Sequence, residues 1–134
     1  MAKTIQCTVV TPERKALDQA AEFVVLPLYD GEIGIGLDHA PLIGRLGYGE
    51  MRLRQGDNVS RFYVDGGFVQ VVGNHVTVLT AQTVPADEID EQAAQEQLDS
   101  ARLQPALTDE QQQIRDRAVV QARGRLRVAR RASS

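Results

Sequence analysis

The sequence predicts a mostly β plus α fold: an N-terminal antiparallel β-sandwich followed by a C-terminal two-helix antiparallel hairpin. Three observations carry this. Short apolar segments recur at roughly 8–12-residue spacing as far as Pro85, separated by Gly, Asn and Asp turn residues. Beyond Pro85 the composition turns to Ala, Gln, Glu and Arg, and the next glycine is Gly124. Charge divides there too. Residues 1–86 carry seven basic and nine acidic side chains, residues 87–110 one basic and eight acidic, and residues 111–134 seven arginines and one acid. The expected domains are therefore 1–86 and 87–134.

Taken in order, Lys3 to Val10 places Ile5, Cys7 and Val9 on one side of a strand. Cys7 is the only cysteine, which excludes an internal disulfide and a cysteine metal cluster, and it reads as a small buried strand residue. Residues 26–49 hold six glycines and two prolines among alternating apolar residues, so this is a turn-rich stretch of sheet rather than a linker. Met51-Arg52-Leu53-Arg54 alternates apolar with basic, and Phe62–Val64, Phe68–Val72 and Val76–Ala81 are further short strands. Gly56-Asp57-Asn58, Asp65-Gly66-Gly67 and Gly73-Asn74 supply the hairpin turns between them. No helical pattern separates the strands, which argues against a doubly wound sheet.

In the tail, Asp90 is placed to cap a first helix whose apolar side runs Ala93, Ala94, Leu98 and Ala101. Pro105 ends it. Thr108-Asp109-Glu110-Gln111 fits a capping box, after which Ile114, Ala118, Ala122, Leu126 and Ala129 line one side of a second helix. Facing alanines let two helix axes approach closely but bury little area, so the hairpin is expected to be a movable arm on a rigid scaffold. Ala132-Ser133-Ser134 reads as a frayed end.

An apolar fraction of 43%, a charged fraction of 25% and a net charge of −3 are those of an ordinary globular domain. No run approaches the ~20 apolar residues of a membrane span. The start, MAKTIQCTVV, lacks the apolar core of a signal peptide, so a cytoplasmic chain is expected. Arginines 115, 117, 123, 125, 127, 130 and 131 are spread around the second helix with no aromatic neighbour, so no nucleic-acid partner is expected.

Glu32, Asp38 and His39 are candidates for either a site or an interface at one end of the sheet. Glu32 and His39 could serve as acid and base, but no activated nucleophile accompanies them, and His75 follows a turn where a solvated residue belongs. Neither a metal nor another cofactor is implied by the spacing. The glycine series from Gly31 to Gly36 superficially resembles a phosphate loop, yet no helix follows and Glu32 would repel phosphate. A free-standing β-sandwich binding module using the Gly31–Pro41 end is the alternative to an interface.

Several segments in fixed order resemble the epsilon subunit of bacterial rotary ATP synthases. They are Leu26-Pro27, Gly31-Glu32-Ile33-Gly34-Ile35, His39-Ala40-Pro41-Leu42, Gly49, and Val64-Asp65-Gly66-Gly67-Phe68-Val69-Gln70-Val71. Asn74–Leu79, Glu88-Ile89-Asp90 and Arg125-Leu126-Arg127-Val128-Ala129 continue the match. The resemblance implies a non-catalytic central-stalk subunit, coupling proton flow to ATP synthesis as a peripheral protein on the cytoplasmic side of the inner membrane. Its sandwich would pack on gamma and on the c-ring loops, with Glu32, Asp38, His39 and Pro41 in the contact segment. Its arm would reach the alpha/beta catalytic head and inhibit hydrolysis, presenting Arg115, Arg123, Arg125 and Arg127 to the beta subunits. Some members bind ATP through an I/L-D-x-x-R-A motif and a second-helix arginine. Ile89, Asp90, Ala94 and Arg125 match, but Ala93 stands at the motif arginine, so weak or absent ATP binding is expected.

Overall fold

Alternating apolar residues build eight strands, and apolar residues three and four apart build two helices, in the computed structural model of the protein, which describes residues 3–133. The strands are β1 (Ile5–Val10), β2 (Lys15–Ala21), β3 (Phe23–Leu28), β4 (Gly31–Ile35), β5 (Leu42–Gln55), β6 (Asn58–Val72), β7 (His75–Leu79) and β8 (Thr83–Pro85). A 3-10 turn at Ala86–Glu88 leads into α1 (Glu91–Arg102) and α2 (Asp109–Ser133). Hydrogen bonding runs β2-β1-β7-β6-β5-β3-β4, with β8 added to β6.

This one sheet makes a two-layered sandwich because its long strands change partners midway. The first half of β6 pairs with β8 at Phe62–Val64, and its second half pairs with β7 at Phe68–Val72. The change falls at Gly66 (φ +70°) and Gly67 (φ +106°), opposite Gly47 of β5. Across that point the buried series on β6 steps from Val64 to Val69, so the inward alternation slips and the sheet folds over. Asp65-Gly66-Gly67 is therefore a bend inside β6, not the expected hairpin turn. A Cβ on Gly67 would lie 1.8 Å from the Leu79 carbonyl oxygen, so only glycine fits. Gly73 (φ +58°) and Asn74 (φ +62°) do form a two-residue hairpin turn between β6 and β7.

The expected all-antiparallel pairing has an exception. β1 lies parallel to β7, with Cys7 beside Val76 and Val9 beside Val78. The pairing joins residues too distant in sequence for any local turn signal to announce. These side chains, with Ile5, Val24, Leu26, Ile35, Met51, Leu53, Val69 and Val71, form the sandwich core. Burial raises the Cys7 thiol from 9.0 to about 12, with Asp18 adding to the rise, so it stays protonated.

Both helix starts follow the local chemistry. Asp90 accepts from the N–H groups of Gln92 (2.9 Å) and Ala93 (3.2 Å). The Thr108 hydroxyl accepts from Gln111 N–H (3.1 Å), and the Gln111 amide oxygen accepts from Thr108 N–H (3.3 Å). Ala94 and Leu98 of α1 meet Ala122 and Leu126 of α2. Two stripe members depart from expectation: Ala93 and Ile114 are exposed. Ile114 precedes the part of α2 that α1 covers, and Ala93 turns away from the helix contact. Ala132 belongs to α2 and packs near Tyr63, Ala86 and Val128 instead of fraying; Ser134 lies outside the described residues.

Candidate functional site

The 26–49 segment contributes two separate polar clusters. Asp38 takes a left-handed conformation (φ +59°) at the loop after β4 and accepts from the Asn74 side-chain amide (3.1 Å). Its own N–H donates to the Asn74 oxygen (2.6 Å), tying this loop to the β6–β7 turn. Beside it, His39 Nδ1 lies 2.7 Å from the Ala40 carbonyl, and Pro41 is exposed. These three residues share one sandwich end.

Glu32 stands at the other end of β4 and belongs elsewhere. Across β3, Arg52 meets both of its carboxylate oxygens in a fork at 3.3 Å. Arg52 also reaches Glu50 (3.1 Å), a buried carboxylate whose Oε1 further receives Arg61 (2.9 Å) and lies 3.7 Å from Arg131 of α2. Glu32 thus faces the arm side of the sandwich. His75 is exposed, as its turn position suggested, with Nε2 3.1 Å from the Thr8 hydroxyl.

A larger surface was missed in the sequence. On the outer face of the layer formed by β1, β7 and the adjoining halves of β6 and β5, Ile43 is 78% exposed and Phe68 57%. Val72 and Leu79 are exposed beside them, and register places Leu79 directly against Phe68. Exposed apolar side chains gathered on a sheet face are what a protein partner can cover. Its signal was the strand alternation itself: Phe68, Gln70 and Val72 point opposite to buried Val69 and Val71.

The arm occupies the outer face of the other layer. Gly124 of α2 approaches Tyr48 so closely that a Cβ would sit 2.5 Å from the Tyr48 carbonyl oxygen. Gln121 Nε2 donates to both oxygens of Asp65, at 2.7 and 2.9 Å. Tyr63 is fully buried and donates its hydroxyl to Asp65 (2.7 Å), while the Arg125 guanidinium lies 5.3 Å from its ring centroid. Desolvation, with the Asp65 hydrogen bond, pushes the Tyr63 hydroxyl well above its usual range. Of the remaining arm arginines singled out, Arg123 and Arg127 are exposed and Arg115 lies 3.9 Å from Asp116. Arg130 reaches Glu91 of α1 at 3.2 Å, a pairing of the two oppositely charged helices.

Ile89, Asp90, Ala93, Ala94 and Arg125 line one cleft of about 230 Å³, so the partial nucleotide motif is assembled in space. Its carboxylate is engaged in capping α1, and its arginine rests on Tyr63. No helix among the described residues is long and apolar enough to cross a membrane.

Comparison with known proteins gives a consistent result. Residues 4–86 match the family model of the ATP synthase delta/epsilon chain β-sandwich domain. The chain is 50% identical to an ATP synthase epsilon chain of Rhodopirellula baltica, over 95% of this chain and 99% of the relative. It is 31% identical to the sodium ion specific ATP synthase epsilon chain of Propionigenium modestum, over 74% and 72%. In fold it resembles a chain of the cryo-EM structure of the Euglena gracilis mitochondrial ATP synthase holding OSCP, F1 and the c-ring. That likeness has a TM-score of 0.80 at 21% identity and covers 100% of this chain and 84% of the other.

Proposed function

Because the chain belongs to the ATP synthase delta/epsilon family, as an epsilon-type, non-catalytic subunit, we propose that it is a central-stalk rotor element. In this reading the sandwich couples proton flow to ATP synthesis and the arm over residues 87–134 restrains ATP hydrolysis. The observation that carries it is the apolar strip of Ile43, Phe68, Val72 and Leu79, a sheet face built to be covered by another chain. The gamma subunit is the proposed occupant. The preformed loop of Asp38, His39 and Pro41 supplies the polar contacts to gamma and the c-ring loops, setting register more than affinity, while Glu32, at the other end of β4 and paired with Arg52, would make a contact separate from that loop. The subunit then sits peripherally on the cytoplasmic side of the inner membrane.

The arm's role follows from its weak apolar contact and its charge. Arg115, Arg123 and Arg127 lie on the arm where acidic segments of the beta subunits in the catalytic head would meet them, and Arg125 joins them once it leaves Tyr63. Only the difference between contacts in the folded and extended arrangements moves the population. Reassembly of the complex tests both parts. Phe68→Asp should abolish stoichiometric copurification with gamma, and removal of residues 87–134 should raise ATPase activity. Retained copurification, or unchanged activity, would sink the corresponding half.

ATP is expected to bind the Ile89, Asp90 and Arg125 cleft weakly or not at all, since Ala93 supplies no cation there. Loss of one charge-assisted phosphate contact, ~1.5–3 kcal/mol, lowers affinity roughly ten- to a hundredfold. Isothermal titration finding micromolar affinity would refute this.

A further inference from the structure

We infer that Asp65 is the receptor of a polar latch holding the arm on the sandwich, with Gln121 as its key and Gly124 as the contact that sets its register. The inference deepens the regulatory reading above by naming the residues that set the folded population.

The geometry is a match between two adjacent pairs. Tyr48 and Asp65 are cross-strand partners on β5 and β6, so they present neighbouring groups on one face of the sheet. Gln121 and Gly124 are three residues apart on α2 and share a helix face. Gln121 bridges both oxygens of Asp65, and Gly124 sits on the Tyr48 carbonyl. One turn further, Arg125 covers Tyr63, and Val128 is buried with Tyr63 and Ala86.

Asp65 is itself rigidly placed. Its N–H points at both the Thr80 hydroxyl (2.9 Å) and the Gln82 carbonyl (3.1 Å), and Gly66 and Gly67 beside it fix the bend. Its carboxylate accepts from the Tyr63 hydroxyl, so Tyr63 remains hydrogen-bonded whether or not the arm is docked. The salt bridges among the described residues do not involve Asp65. Its partner on the arm is a neutral amide, which binds the carboxylate through a charge-assisted bond yet separates without stranding a second charge. That chemistry suits a contact that must open.

The test uses the isolated full chain with a thiol placed at Ala86, buried beneath Val128 and Tyr63. Its labelling rate reads arm opening, while native Cys7, buried in the sandwich core, reads opening of the scaffold. Gln121→Glu, which sets a like charge against Asp65, should speed Ala86→Cys labelling roughly ten- to a hundredfold and leave Cys7 unchanged. Gln121→Ala should move it in the same direction, whereas Gln112→Glu, the same charge change at an exposed position of α2, should not. Combining Asp65→Asn with Gln121→Glu restores a donor–acceptor pair and should recover most of the protection. The latch is overturned by a Gln121→Glu rate within twofold of the parent, by a parallel rise at Cys7, or by a double variant labelled as fast as Gln121→Glu alone. ATPase activity of the reassembled complex judges the inhibitory role separately, so either conclusion can fail without the other.

Discussion

Among the described residues, fifteen buried ones join the two layers of the sandwich, including Ile5, Val24, Leu26, Met51 and Val78, whereas four join α1 to α2, two of them alanines. The arm then meets the sandwich through Gly124, Gln121, Arg125 and the small cluster around Tyr63. Each large side chain buried in the sandwich contributes about 1.5–3 kcal/mol, and an alanine far less. The difference separates two properties that a single core would bind together. Under the proposed role, one region would be fixed enough to carry load between partners while the other would leave and return at modest cost.

The largest test of this contrast attacks the fold-over. Gly67→Ala puts a Cβ against the Leu79 carbonyl at a backbone angle that disfavours side chains. Strain of about 1–3 kcal/mol adds to overpacking of about 1–3 kcal/mol, and overlap with a backbone oxygen places the total near the upper end, about 5 kcal/mol. Urea unfolding should show that loss, and the arm should undock with the sandwich because Asp65 and Tyr63 move with the bend. A variant of parent stability would mean the bend is not where the layers are joined.

Alkaline pH probes the scaffold from within its core. The Cys7 thiol is raised from 9.0 to about 12 by burial, so the folded state holds its proton more tightly than the unfolded chain does. Its contribution is therefore complete below pH 9.0 and is lost as pH rises towards about 12. A shift of that size corresponds to roughly 4 kcal/mol at 1.36 kcal/mol per pH unit. Chemical denaturation between those limits should show Cys7→Ala losing less stability than the parent as pH rises. Equal slopes would show that the thiol is not sealed in the core.

What the sequence disclosed, and what it did not, divides along the range of each interaction. Asp90 and the Thr108–Gln111 box were legible because a cap is satisfied within three residues of itself. The apolar faces of β1 and α1 followed from periodicity, apart from Ala93. Gly66-Gly67 was misread as a hairpin turn because glycine reports the backbone angle a position needs, not whether the chain reverses there. Glu32 groups with Asp38 and His39 in sequence, but it stands at the other end of β4, where it meets Arg52. The Asp65–Gln121 contact spans 56 residues and joins two commonplace side chains, so no local pattern could mark it.

The smallest effect is the most discriminating. Asp90→Ala removes two hydrogen bonds at the first turn of α1 and takes a carboxylate from the positive end of the helix, for about 1 kcal/mol. In a helix of 12 residues that buries Ala94, Leu98 and Ala101, this is a sizeable share of what keeps it folded. Asp90 itself is exposed, so its loss removes no buried side chain from the sandwich. Helical circular dichroism should therefore melt several degrees earlier in the variant, while the labelling rate of Cys7 stays at the parent value. If Cys7 loses protection together with the helix, sandwich and arm unfold as one unit, and the arm is not a separable element.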